Sequence, residues 1–110
     1  MYDEKKVAKL NKWLAKGKFD KIAKIAKSDD PEARVAVAQL YGTSNEDAAY
    51  NGLIGLLHDR DLNVRMATVA ALVAQKRGAA VEQLRHAYGS TSEPEFVAAC
   101  KEALSVLTKL

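Results

Sequence analysis

A single cysteine, Cys100, closes no disulfide within the chain, and nothing else in the sequence points to an oxidising compartment. Histidine is almost as scarce. His58 and His86, with no cysteine cluster and no i, i+4 histidine pair, do not make a zinc or iron site, so no metal and no cofactor is expected. The longest apolar runs, "GLIGLL" and "VAALVA", fall far short of the ~20 residues that a membrane-spanning helix needs. The opening "MYDEKKVAKL" is acidic and then basic, unlike a signal peptide, which makes the cytoplasm the expected location. No glycine-rich phosphate loop of recognised spacing occurs. Val, Ile and Thr never alternate with polar residues for long enough to suggest a strand.

What is present instead is helical. Apolar residues fall at steps of three and four, as in Val7, Leu10, Leu14, then Leu53, Leu56, Leu57, then Val69, Leu72. Alanine, the best helix former, is abundant. In "SDDPE", Asp30 is the expected N-cap, with Pro31 at the first helical position, where its missing N–H costs nothing. "TSNED" offers Ser44 or Asn45 as a cap, and "STSEPE" puts Pro94 near another helix start. Gly17, Gly42, Gly78 and Gly89 stand where helices are expected to end. At 110 residues the chain is one domain, long enough to bury a core.

The punctuation is periodic. Asp30-Pro31-Glu32-Ala33-Arg34 overlies Asp61-Leu62-Asn63-Val64-Arg65 at an offset of 31, with Tyr41 or Leu72 seven residues after each Arg. A further shift of 32 from Asp61 reaches Glu93-Pro94-Glu95-Phe96-Val97, with Leu104 seven residues on. Ile22, Leu53 and Leu84 are again 31 apart, as are Ala26, Leu57 and Tyr88. Even the first helix fits, with Asp3 as cap and Val7 in the Arg position. The prediction is a lone helix over 3–16 followed by three helix pairs, about 17–43, 44–76 and 78–110, in a single domain 1–110.

"HDRDLNVRMATVAAL" resembles the turn and second helix of a HEAT repeat, in particular the short bacterial form named after phycobilisome lyases. "SDDPEARVAVAQLYG" is similar through Asp30, Pro31, Arg34 and Gly42, and residues 57–72 through Leu57, Asp59, Asp61, Val64, Arg65, Ala67 and Leu72. The third copy keeps Pro94, the Ala run and Leu104 but has Val97 at the Arg position, a departure that suits a terminal repeat with one neighbour. The resemblance implies an all-α fold, a right-handed α–α superhelix. It also implies that Asp30, Arg34, Asp61 and Arg65 are structural, forming a ladder of ion pairs between adjacent repeats. The placement of Asp30 and Asp61 directly before helices agrees, since a capping carboxylate is worth ~0.5–2 kcal/mol.

Catalytic readings of the same residues fare poorly. His58-Asp59 matches the dipeptide of metal phosphohydrolases but lacks the further His and Asp ligands those sites need, and the paired His-Glu dipeptides of HEAT-type di-iron hydroxylases do not occur. Cys100 aligns with Val37 and Thr68, an inward slot in which a thiol is inert. Phycobilin lyases of this fold handle a tetrapyrrole, yet no residue set that binds one is visible, and the chain reads as a non-enzyme.

Within the resemblance, the second helices line the inner face of a curved solenoid. Offsets −2, +1, +5 and +9 from the Arg position share one helix face. They give Lys5, Ala8, Lys12 and Lys16 on the first helix, then Glu32, Val35, Gln39 and Thr43, then Asn63, Met66, Ala70 and Ala74, and last Glu95, Ala98, Glu102 and Val106. The expected surface runs from basic through apolar to acidic, and it suits a protein partner, a peptide or helix, gripped at Val35, Gln39, Met66, Ala70, Ala74, Lys12, Lys16 and Glu102.

The alternative lies in the charge asymmetry. Residues 1–28 hold nine lysines against Asp3, Glu4 and Asp20, a net of +6, whereas residues 29–110 carry −3. Lys5, Lys9, Lys12, Lys16, Lys18 and Lys21 are therefore candidate contacts to nucleic acid or another anionic surface. None of the nine is Arg, the residue suited to bidentate phosphate and base contacts, so nucleic acid is possible but not favoured.

Overall fold

The computed structural model describes residues 2–110, and among them every regular element is an α-helix. These are α1 (Glu4–Ala15), α2 (Phe19–Ile25), α3 (Pro31–Tyr41), α4 (Asp47–Leu56), α5 (Leu62–Gln75), α6 (Ala80–Gly89) and α7 (Pro94–Leu107). They form two layers, and the shortest extent of the molecule, 19 Å, is about two helix diameters of ~10 Å. α1, α3, α5 and α7 stack side by side in one layer, with α3 and α5 in the most extensive contact. α2, α4 and α6 cover them and touch one another only sparsely. One layer tight and the other splayed describes a curved α–α solenoid whose inner side is α1, α3, α5 and α7.

The sequence period is the period of the core. Ile22, Leu53 and Leu84 are each 0% exposed, and so are Val37, Thr68 and Cys100 in the layer of second helices. Each repeat buries its face only against the next, so the positions of large apolar residues recur with the helices. Burial pushes the Cys100 thiol up to about 11 despite the nearby Arg65 charge, which keeps it protonated and unreactive.

Helix starts follow the caps. Asp3 accepts from Lys5 N (2.7 Å), Asp30 from Glu32 N (2.9 Å), and Asp61 from Asn63 N (2.8 Å) and Val64 N (3.2 Å). Two sequence-based expectations are corrected. α4 is capped by neither Ser44 nor Asn45; its N-cap is Glu46, and the Ser44 hydroxyl instead accepts from Glu46 N (3.1 Å) to close the turn ahead of the helix. α5 ends not at Gly78 but at Lys76, in the left-handed region at φ 57°. The reason lies across the repeat. Buried Gln75 donates to Tyr41 O (3.1 Å) and Ser44 O (2.9 Å), while Arg77 donates to Asn45 O and to Asp47 (2.9 Å) and stacks over the Tyr50 ring. Those anchors on both sides of Lys76 turn the chain there. Gly17, at φ 69°, does end α1 as expected.

Candidate functional site

Two regions bear on function: the turns that hold Asp59 and Arg65, and the inner face of α1, α3, α5 and α7.

At the turns, Arg34 is 3% exposed and reaches from α3 to the next repeat. Its Nε donates to Asp59 Oδ2 (2.8 Å), its Nη2 to Asp59 Oδ1 (3.1 Å), and its Nη1 to Ser28 O (2.7 Å). The ladder therefore exists, but its carboxylate is Asp59 rather than Asp61. Asp61 is committed to the first-turn N–H groups of α5, whereas Asp59, two residues earlier in the turn, faces back to α3 and also accepts from Asp61 N (2.9 Å). Burial alone raises the Asp59 pKa; the Arg34 hydrogen bond and the Asp61 N–H outweigh it and hold the carboxyl below the usual carboxylate range.

The next step of the ladder is different. Thr91 stands where Asp59 stands one repeat earlier, and its hydroxyl accepts from Glu93 N (3.2 Å) as Asp59 does from Asp61 N. Arg65 is 8% exposed, donates through Nη2 to Glu93 Oε1 (2.6 Å) and lies over the Phe96 ring. Its Nε is buried without a hydrogen-bond partner. Thr91→Asp supplies the missing carboxylate and is expected to stabilise the protein by ~1–2 kcal/mol, read as a higher urea midpoint. An unchanged or lower midpoint contradicts the repeat-by-repeat equivalence.

His58 and His86, far apart in the chain, meet edge to face at the ends of α4 and α6, with ring centroids 6.2 Å apart. Periodicity offered no signal for this meeting. Among the described residues no three His, Cys, Asp or Glu side chains gather as a metal site. These turn residues act as supports between repeats.

On the inner face, every residue of the expected ridge is exposed or half-buried, including Val35, Gln39, Met66, Ala70, Ala74, Lys12, Lys16 and Glu102. The ridge is not one continuous strip. α3 and α5 approach so closely that a Cβ on Gly42 would sit 2.8 Å from that of Ala71, and this seam is filled. Clefts open on either side of it. Between α5 and α7 a cleft of about 340 Å³ is lined by Met66, Val69, Ala70, Val73, Ala99, Glu102, Ala103 and Val106. Between α1 and α3, a cleft of about 190 Å³ takes in Val7, Leu10, Gln39 and Thr43. A larger one of about 560 Å³ lies at the first turns of α1, α3 and α5, with Tyr2, Val7, Pro31, Val35 and Ala36 against Glu4, Glu32 and Asp61. Sequence reasoning named Val35 and Gln39 here but missed the role of Val7, Tyr2 and Pro31. Those lie off the repeated ridge and become neighbours only when the helices stack.

The lysines divide. Lys5, Lys12 and Lys16 are exposed along α1, whereas Lys9 and Lys21 converge on Trp13, their ammonium groups 5.2 and 5.9 Å from the ring centroid. Lys18 is half-buried as the N-cap residue of α2.

A family model for HEAT repeats matches residues 19–105, and the chain belongs to that family. No curated protein and no solved structure gives a match. HEAT repeats generally serve as protein-interaction scaffolds, and no helix among the described residues is long and apolar enough to cross a membrane.

Proposed function

We propose that this chain is a non-catalytic interaction module that binds a peptide or helix of a protein partner along the inner face of α1, α3, α5 and α7. The observation that carries this is the apolar cleft between α5 and α7. Met66, Ala70 and Val106 line it, at helix positions where a merely solvated face would carry charge. Val106 is 45% exposed, and the flexible thioether of Met66 suits contacts that adapt to a partner. Val35 and Gln39 on one side of the filled seam, and Met66, Ala70, Ala74 and Glu102 on the other, are the contacts proposed. Lys12 and Lys16 extend the face at its basic end. Within the HEAT family, the Asp-x-Asp turn at 59–61 and the Arg ladder favour the short phycobilisome-lyase type of repeat, used here as scaffold and not as a lyase.

The test is capture of partners from the native cell by wild-type protein and by Met66→Asp, which alters a half-buried surface residue. Partners bound by the wild type and reduced about tenfold on the variant support the reading. An identical partner set on both sinks it.

Nucleic acid is the weaker reading. Trp13, the aromatic best placed in the Lys-rich segment to stack on a base, already has Lys9 and Lys21 over its ring. Absence of any salt-dependent shift of labelled DNA at low ionic strength is the expected result.

A further inference from the structure

We infer that the turns before α5 and α7 form a binding site for one carboxylate group on a short apolar stem, held by Arg65. The preceding repeat shows what such an arginine takes. Arg34 commits all three guanidinium nitrogens: Nε and Nη2 grip the two oxygens of Asp59, and Nη1 donates to Ser28 O. Arg65 holds the same place one repeat later and is likewise buried. Of its five N–H groups, one makes a hydrogen bond among the described residues, from Nη2 to a Glu93 oxygen. Its Nε is buried and has no partner. A buried donor without an acceptor is costly, so this side of the guanidinium favours an acceptor brought in from outside.

The gap has a cause in the sequence. Thr91 stands where Asp59 supplies the carboxylate one repeat earlier, and Glu93, the N-cap residue of α7, makes no capping bond and reaches Arg65 instead. A cleft of about 280 Å³ opens at this place, with Arg65, Arg60 and Thr91 on its polar side and Leu57, Ala87 and Phe96 as its apolar wall. The Thr91 hydroxyl accepts from Glu93 N and keeps its own hydrogen to donate. Charge limits the occupant. Arg60 and Arg65 stand against Asp59 and Glu93 in the lining, and Asp59 is already matched by Arg34, which leaves one positive charge in excess. A single negative charge balances it, whereas the second charge of a phosphate would meet Glu93. The volume lies just below the roughly 300–1,000 Å³ usual for small-molecule sites and suits a carboxylate with a few carbons. A small acid and a protein Asp side chain present this same group to Arg65. No residue of the lining belongs to the cleft between α5 and α7, so this inference stands or falls apart from the protein-binding reading.

The experiment follows the Nε–H resonance of Arg65 by nitrogen–proton NMR correlation on the full chain. Sodium propionate, sodium chloride at equal ionic strength, propionamide and inorganic phosphate are titrated in turn. Propionate is expected to shift the resonance saturably, phosphate to bind more weakly, and chloride and propionamide to leave the resonance in place. In Thr91→Asp a built-in carboxylate fills the gap, and propionate binding is expected to weaken roughly tenfold or more. No saturable shift with propionate overturns the inference, as does an equal shift with chloride or propionamide, or tighter binding of phosphate. Undiminished binding of propionate to Thr91→Asp overturns it as well. A blocked peptide with one Asp between alanines then assigns the source of the carboxylate. Tighter binding than propionate points to a protein side chain, and equal or weaker binding to a small acid.

Discussion

Arg34→Ala is expected to destabilise the protein by about 3–5 kcal/mol, measured as the loss in unfolding free energy in urea. The guanidinium and the Asp59 carboxylate are both more than nine-tenths buried, joined through two hydrogen bonds, and Arg34 also satisfies the Ser28 carbonyl. Deleting the cation leaves a buried carboxylate without its counter-charge. Domains of this size are stable by only ~5–15 kcal/mol, so a loss of that order brings the variant near the unfolding threshold. Paired replacement, Arg34→Met with Asp59→Leu, removes both charges and is expected to recover most of the loss, because the cost comes from the stranded partner. If the single variant loses less than ~1 kcal/mol, the pair is not a support between repeats.

The same pair sets an acid limb. Asp59 has a folded pKa below its unfolded value, so its contribution is fully present above the ordinary carboxylate pKa and is lost as pH falls through the lowered folded one. Urea midpoints of the wild type should therefore decline on acidification below about pH 4, and Asp59→Asn should start lower and decline less steeply. A variant with the same slope as the wild type would contradict this assignment.

The second large effect is a contrast within one helix. Gly52→Ala is expected to destabilise by ~1–3 kcal/mol, and Gly55→Ala to stabilise by ~0.5–1 kcal/mol. A Cβ at Gly52 lands 2.4 Å from Tyr41 Cε2 and 2.9 Å from Cζ. That ring is 3% exposed and stacked against Phe19 at 6.5 Å, so it has nowhere to retreat. A Cβ at Gly55 meets nothing within 4 Å, leaving only the gain in helix propensity. Thermal melts of the two variants should move in opposite directions; movement in the same direction would mean that α4 does not pack on Tyr41 as described.

Neither glycine is distinguishable in the sequence, where Gly52 and Gly55 both look like mild interruptions of the same apolar run. The Asp residues of the turn show the same limit. Spacing placed Asp30 and Asp61 before helices, and both are caps, but the resemblance to HEAT repeats assigned the Arg ladder to Asp61 when Asp59 performs it. Two carboxylates two residues apart differ only in which way the turn points them. The inner ridge was legible because a 31-residue period repeated over 3.6-residue helices leaves the same offsets outward in each copy. Its division into clefts was not, because the Gly42–Ala71 approach that fills the middle depends on how closely two particular helices pack. Gln75 and Arg77 escaped notice for a related reason, since their partners are backbone carbonyls, Asp47 and a ring about thirty residues earlier, in no recurring pattern.

By itself, the sequence determined the helices, their period, the buried positions and the HEAT-type repeat, because all of these follow from local spacing of apolar, capping and breaking residues. Tertiary structure alone decided which carboxylate meets which arginine and where the inner face opens. Those depend on side chains from different repeats meeting in space. Met66 and Val106, forty residues apart along the chain, line one cleft only when α5 and α7 lie side by side.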